Sequence, residues 1–202
     1  MSDRQNRVPL SLLELAPVGV GQTSRDALLA ATELAIFADR AGFRRLWVAE
    51  HHNMPGVAST SPAVLIAHLA SVTSTIRIGS GGVMLPNHAP LVVAEQFAML
   101  EALDPGRIDL GIGRAPGTDP ATAAALRRTT EGLNAEQFPQ ELDTLLMLLD
   151  DQGGTLLATP SPRSKPDVWL LGSSGYSAQV AGLLGLPFAF AHHFSAANTE
   201  PA

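Results

Sequence analysis

The stretch TIRIGSGGVMLPNHAPLVVAEQFAMLEALDPGRIDLGIG, residues 75–113, decides the fold. It opens with an apolar run over 75–85 that reads as a strand. It then crosses a short loop, takes on helical spacing over 90–106 and stops at Pro105-Gly106. A second apolar run, RIDLGIG over 107–113, follows at once. Both runs are nearly continuous in apolar residues rather than alternating, the pattern of parallel strands covered on both faces. Strand, helix and parallel strand in this order form a right-handed βαβ unit.

Working outward, the same unit recurs. Upstream, LSLLEL (10–15) and RLWVAE (45–50) read as strands. They are joined by SRDALLAATELAIFADRAG (24–42), a helix opening at Ser24 and stopping at Gly42. SPAVLIAHLASVTS (61–74) places Ser61 as a cap and Pro62 at the first helical position. Downstream come a helix at 135–154, a surface loop at 159–166, a strand at 167–173, a short helix at 177–185 and a strand at 188–192. The alternation predicts a single α/β domain over residues 1–202 with a parallel sheet, either a doubly wound open sheet or a (β/α) barrel. A complete eight-stranded barrel takes about 250 residues. With six strands in 202 residues, the barrel reading leaves the last two units out and the domain incomplete at its C-terminus.

Composition narrows the function. A net charge of −6 and the lack of any basic stripe argue against a nucleic-acid partner held through its phosphates. With no cysteine, disulfides, thiolate metal sites and cysteine nucleophiles drop out, and a reducing cytoplasm is the expected location. The N-terminus lacks the apolar core of a signal peptide, and no segment approaches the roughly 20 apolar residues of a membrane span.

In a parallel α/β architecture the working face lies beyond the carboxyl ends of the strands. Five of the 6 histidines fall there: His51 and His52 after the second strand, His88 after the third, His192 and His193 after the sixth. Only His68 sits inside a helix. Strand alternation lets one member of each adjacent pair face a pocket. Glu50, the histidines and Asp119 are all metal-ligand types, yet no H-x-x-x-H or H-x-H spacing occurs, and no metal is expected. Gly79-Ser80-Gly81-Gly82 interrupts a strand, which marks a bulge or a ligand's close approach. GIGRAPGTD (111–119) sets Arg114 after a strand, where its guanidinium suits a phosphate. LLGSSGYSAQV (170–180) runs from strand through a Ser-rich loop to a helix start, with Ser174 and Ser177 beside free N–H groups, another anion site.

These residues combine into a resemblance. SLLELAPVG, LWVAEHHNMPG, the 77–119 stretch and VWLLGSSGYSAQVAGLLGLPFAFAHHF resemble the bacterial luciferase-like flavin-dependent monooxygenases, in order and without large gaps from about Val8 to Asn198. The resemblance implies a TIM-type (β/α) barrel, here truncated after six of eight strands, with FMN at its carboxyl rim. It implies oxidation of a small organic substrate such as an aldehyde by reduced flavin and O2, with a flavin reductase supplying the reduced cofactor. By motif it makes His51, with Glu50, catalytic. It assigns Gly81 and Gly82, joined by a cis peptide, to the flavin ring, and Arg114, Ser173, Ser174, Tyr176 and Ser177 to the phosphate end. It also implies a homodimer through the helices at 61–74 and 90–106. Three alternatives remain open: a catalytically degenerate flavin-binding protein, a deazaflavin-dependent oxidoreductase on the same fold, and a structural partner for a full-length homologue.

Overall fold

The computed structural model describes residues 8–115, 119–127, 137–150, 154–161 and 164–194. The chain runs β1 (Ser11–Glu14), α1 (Ser24–Ala41), β2 (Arg45–Val48), α2 (Pro62–Ser71), β3 (Arg77–Ser80), β4 (Val83–Met84), α3 (Pro90–Leu103), β5 (Ile108–Gly113), α4 (Pro120–Arg127), α5 (Phe138–Leu149), β6 (Asp167–Gly172), α6 (Gly175–Leu184) and β7 (Phe188–Phe190). Single 3-10 turns cover Leu85–Asn87 and His192–Phe194.

All strand pairings are parallel, in the order β1-β2-β3-β5-β6-β7, with β4 continuing β3 and pairing β5. The strands curl into an open half-barrel, as the barrel reading predicts. Each of the six expected strands is present with its ends trimmed. The expected strand at 75–85 is divided, because Gly81 and Gly82 interrupt it. Registers Gly79↔Asp109 and Val83↔Ile112 leave one more residue on the β3–β4 side than on β5, so the interruption is a β-bulge.

Helix ends follow local chemistry. α1 is capped by Thr23 rather than Ser24. The Thr23 hydroxyl accepts from Asp26 N–H at 3.2 Å and the Asp26 carboxylate accepts from Thr23 N–H at 2.8 Å, a capping box one residue earlier than expected. Gly42 closes the helix in the left-handed conformation at φ 79°. Pro62 and Pro90 begin α2 and α3, where a missing N–H is harmless. Ser61 precedes α2 as expected, but its hydroxyl makes no capping bond. α4 was not anticipated; its Ala-rich run lacks the long apolar stripe that marks the other helices. The Pro116-Gly117 turn and positions 135, 136 and 151–153 of the expected 135–154 helix lie outside the described residues.

The strand parity divides the molecule. Leu46, Ile78, Ile108, Leu110, Ile112 and Leu170 point to the convex side and pack under Ala35, Ala38, Ile66, Leu69, Phe97, Leu142 and Leu145 of the helices. Each such fully buried Leu, Ile or Phe side chain contributes about 1.5–3 kcal/mol. The alternate residues face inward. Near the strand starts, Asp109, fully buried, accepts from Arg45 Nε at 2.9 Å, Trp47 Nε1 at 2.9 Å and Arg77 Nε at 2.7 Å. Further along lie the glycines, and beyond them the inward face opens. Among the described residues, no helix is long and apolar enough to cross a membrane.

Candidate active site

The inward residues at the strand ends line two adjoining cavities. The first, about 360 Å³, is walled by Leu13 of β1, Trp47 of β2, Gly113 of β5, Leu171 of β6 and Ala189 of β7, with Gly81 and Gly82 as its floor. The second, about 480 Å³, shares Leu13, Gly81 and Met84 and adds Leu15, Ala49, His51 and Met54. Its lining is almost wholly apolar. His193 and Phe194, from the turn after β7, border both.

Gly81-Gly82 is a cis peptide. A Cβ on Gly82 would lie 2.6 Å from the Gly111 carbonyl oxygen, and one on Gly111 would lie 2.1 Å from that of Ser80. The glycines therefore serve a backbone-to-backbone seam between β3–β4 and β5, as well as leaving the cavity floor bare.

The two histidines after β2 part company, as alternation requires. His51 lines the apolar cavity. His52 turns back, its Nε2 2.8 Å from Glu50 Oε1, and His88 Nε2 reaches the same oxygen at 2.8 Å. Glu50 is fully buried and touches neither cavity. Its other oxygen accepts from Met84 N–H at 3.0 Å. Burial alone would raise the Glu50 carboxyl, but hydrogen bonding and attraction from His88, with the His52 and Met84 bonds, hold it below the ordinary glutamate value. Glu50 and His51 are neighbours in sequence whose side chains part. The contact of Glu50 with His52 and His88 escaped the sequence reading. Its signal was the spacing of Glu50 and His52, which puts both on one side of an extended chain.

Glu50, His52 and His88 offer ligand atoms within 4.8 Å of one another, the closest approach to a metal cluster among the described residues. Asp119, also a ligand type, is engaged otherwise. It accepts from the Ala121 and Thr122 N–H groups and the Thr122 hydroxyl at the start of α4, and from Asn53 Nδ2 at 3.5 Å. His68 lies on α2, 3.0 Å from the Thr32 hydroxyl, away from the cavities.

At the far end of the first cavity stands Arg114, its guanidinium 4.6 Å above the Tyr176 ring. Among the described residues it forms no ion pair. Ser173 lines the same cavity, and Ser174 is the N-cap of α6 without a side-chain capping bond. Ser177 is buried one turn in; a Cβ on Gly172 would come within 2.7 Å of its hydroxyl. The structure thus places Arg114 and Ser173 on the first cavity, with Tyr176 against Arg114 and Ser174 next in the chain, and His51 on the adjoining second cavity; Ser177 lies behind the strand end at Gly172.

The chain is similar to known proteins along most of its length. The family model described as luciferase-like monooxygenase matches residues 10–201. A luciferase-like monooxygenase of Escherichia coli (strain K12) is 52% identical over 93% of this chain, and the chain spans 56% of that relative's length. The crystal structure of apo-MsnO8 superposes with a TM-score of 0.90 at 46% identity, over 94% of this chain and 57% of its own. At the level of fold alone, the oxygenating constituent of 3,6-diketocamphane monooxygenase from Pseudomonas putida, in complex with FMN, gives a TM-score of 0.75 at 20% identity, covering 91% of this chain and 57% of its own. An F420-dependent secondary alcohol dehydrogenase gives 0.64 at 19%, covering 87% and 56%. A match across nearly the whole described sheet, at these identities, leaves one conclusion: the chain belongs to the luciferase-like monooxygenase family.

Proposed function

We propose that the chain forms the flavin-holding part of an FMN-dependent monooxygenase that oxidises a small, uncharged organic substrate such as an aldehyde. The observation that carries this reading is the cavity's polarity. An apolar trough with a glycine floor meets a guanidinium that has no ion pair among the described residues, near a helix N-terminus without a side-chain capping bond. That order of groups suits a molecule with a flat apolar ring at one end and a phosphate at the other. Gly81 and Gly82 would lie under the ring, and Arg114, Ser173 and Ser174 would bind the phosphate. Tyr176 would stack on Arg114, and Ser177 would brace the strand end behind them.

Reduced flavin, when bound, supplies two electrons to O2, one oxygen atom passing to substrate and the other leaving as water. The chain's own residues do the rest. His51 is a basic side chain on the apolar cavity, placed to give or accept a proton at its ring nitrogen. Leu13, Leu15, Met54 and Met84 give that ring apolar surroundings. Glu50 belongs to the same assembly without facing it.

The remaining parts of the reading are a flavin reductase as the source of reduced FMN, a cytoplasmic location, a single domain over 1–202 and a homodimer. The dimer is supported by apolar side chains left exposed on α2 and α3: Val64 at 70%, Leu103 at 68% and Met99 at 54%. The chain carries no basic stripe for nucleic acid.

Parallel titrations of FMN, riboflavin and F420, followed by flavin fluorescence, test the proposal. Arg114→Ala should weaken FMN about 10- to 100-fold, the size of a lost charge-assisted bond, and leave riboflavin unchanged. Saturation by F420 with no FMN binding would favour the hydride-transfer alternative. Tight FMN binding without O2-dependent turnover of aldehyde on supplied reduced FMN would favour the degenerate flavin-binding protein. Equal loss of FMN and riboflavin in Arg114→Ala would refute the assignment of a phosphate end.

A further inference from the structure

Behind the cavity wall, one carboxylate gathers donors from two separate rim segments. Glu50 follows β2 and is fully buried. Its Oε1 lies 2.8 Å from His52 Nε2, 2.8 Å from His88 Nε2 and 3.5 Å from Asn87 Nδ2, and its Oε2 lies 3.0 Å from Met84 N. An ionised carboxylate only accepts hydrogen bonds. Both imidazoles must then carry hydrogen on Nε2, which assigns that nitrogen the donor role even though ring nitrogens can usually play either.

Where these donors sit gives the cluster its consequence. Met84 is the last residue of β4, two residues past the Gly81-Gly82 floor, and it lines both cavities. Asn87 and His88 belong to the turn that carries the chain from β4 into α3. His52 lies beside His51, so holding the His52 ring on Glu50 leaves the His51 ring on the cavity side.

We infer that Glu50 is a fixed anionic anchor and His88 a positioning residue: through Glu50, His88 holds Met84 and the Gly81-Gly82 floor in place, while His52 on the same oxygen sets the direction of His51. Glu50 thus acts through its neighbours and is not a group that meets substrate. The inference rests on the proposed flavin site for its functional half only; the hydrogen-bond half stands without any ligand.

A metal ion is the competing use of the same three side chains. The donors count against it. All four contacts place hydrogens on the carboxylate, one of them a backbone N–H that cannot leave, and neither cavity opens onto Glu50 to admit exchangeable ligands.

The experiment has a ligand-free arm and a flavin arm. Long-range proton–nitrogen correlation spectra of the chain, labelled with 15N and free of flavin, report which imidazole nitrogen carries the proton. His52 and His88 should both show hydrogen on Nε2, and the His88 signature should move in Glu50→Gln. An Nδ1–H form of either ring overturns the anchor. So does a one-to-one Zn2+ complex that removes the Nε2–H signals and is lost in His88→Ala. In the flavin arm, His88→Ala should weaken FMN about tenfold, one charge-assisted bond's worth. His88→Gln, whose amide can donate from nearly the same point, should restore affinity to within about threefold of the parent. Equal loss in His88→Ala and His88→Gln overturns the positioning role. If the parent chain binds no FMN, the proposed function fails, and the tautomers alone decide the anchor.

Discussion

Gly111→Ala tests the seam on which the cavity floor depends. Gly111 lies in β5 opposite the bulge, and a methyl group there would sit 2.1 Å from the Ser80 carbonyl oxygen, 3.2 Å from its carbon and 2.8 Å from Leu171 Cδ1. The leucine end can swing aside. The carbonyl cannot, because Ser80 belongs to β3 and its hydroxyl bonds back to the Gly111 carbonyl at 2.8 Å. Relief requires the two strands to part, which stretches that bond and loosens Ile78 and Ile112 on the convex side. Overpacking of this kind costs typically about 1–3 kcal/mol, and losing the hydroxyl bond adds about 1 kcal/mol. The expected destabilisation is therefore about 2–4 kcal/mol, or about 4–16 °C in Tm for a chain of this size. Gly175→Ala is the matched control. It opens α6, nothing lies within 4 Å of the added methyl and its φ is not positive, so a gain of up to about 1 kcal/mol is expected. Urea unfolding followed by far-ultraviolet circular dichroism measures both. A Gly111→Ala chain as stable as the parent would refute the register of β3–β4 against β5, and with it the floor of the site.

Asp109→Asn should cost about 3–5 kcal/mol by urea unfolding, since it leaves the buried ends of Arg45 and Arg77 facing a neutral amide. Thr23→Ala should cost about 1 kcal/mol by removing one half of the capping box, with thermal unfolding as the measurement. For Asp39, burial acts to raise the carboxyl, but the Thr75 hydroxyl and the N–H groups of Ser74, Ile76 and Thr75 outweigh it and lower the group to about 2. A depressed acid adds stability above its unfolded value, and that stability is lost as pH falls from about 4 to about 2. Asp39→Asn should therefore be less stable than the parent at pH 7, and the gap should close by about pH 2 in unfolding midpoints measured across that range.

The βαβ order was legible because each strand is a compact apolar run bounded by a cap, a proline or a glycine that local chemistry makes readable. The glycines in GSGG were legible as a bulge or a place of close approach by a ligand. That the approaching group is the neighbouring strand's backbone, at Ser80 and Gly111, was not, since register is a property of pairs. The same limit hid the Glu50 cluster. His88 is separated from Glu50 by α2, β3 and β4, and only the folded sheet brings them together. Asp109 reads locally as one acid in an apolar strand; its meaning comes from Arg45 and Arg77, each on a different strand. α4 was missed for another reason: Ala-rich and short, it carries too little apolar periodicity to stand out beside its neighbours.

The two ends of the inward sheet face explain why such a site tolerates so little side-chain bulk at its centre. At the strand starts, Asp109 ties β2, β3 and β5 together with charged hydrogen bonds, and Arg77 extends the tie to Asp167 on β6 at 2.7 Å. Trp47 joins them through its indole N–H and meets Trp169 edge to face at 5.4 Å, with Arg45 over the Trp169 ring at 4.6 Å. Those rings fill the interior one layer below the cavity, and Trp47 forms part of its wall. Above that layer the inward positions of the central strands are Gly81, Gly111 and Gly113, so those strands approach closely and the middle of the trough stays bare between Leu13, Leu171 and Ala189. Stiffness is therefore supplied from beneath, by ion pairs and indoles, and shape is supplied above, by the absence of side chains. A flat ring laid on backbone, as proposed for this trough, would need both, because glycine strands without a rigid layer under them would flex, and a rigid layer carried up to the strand ends would fill the space such a ring would take.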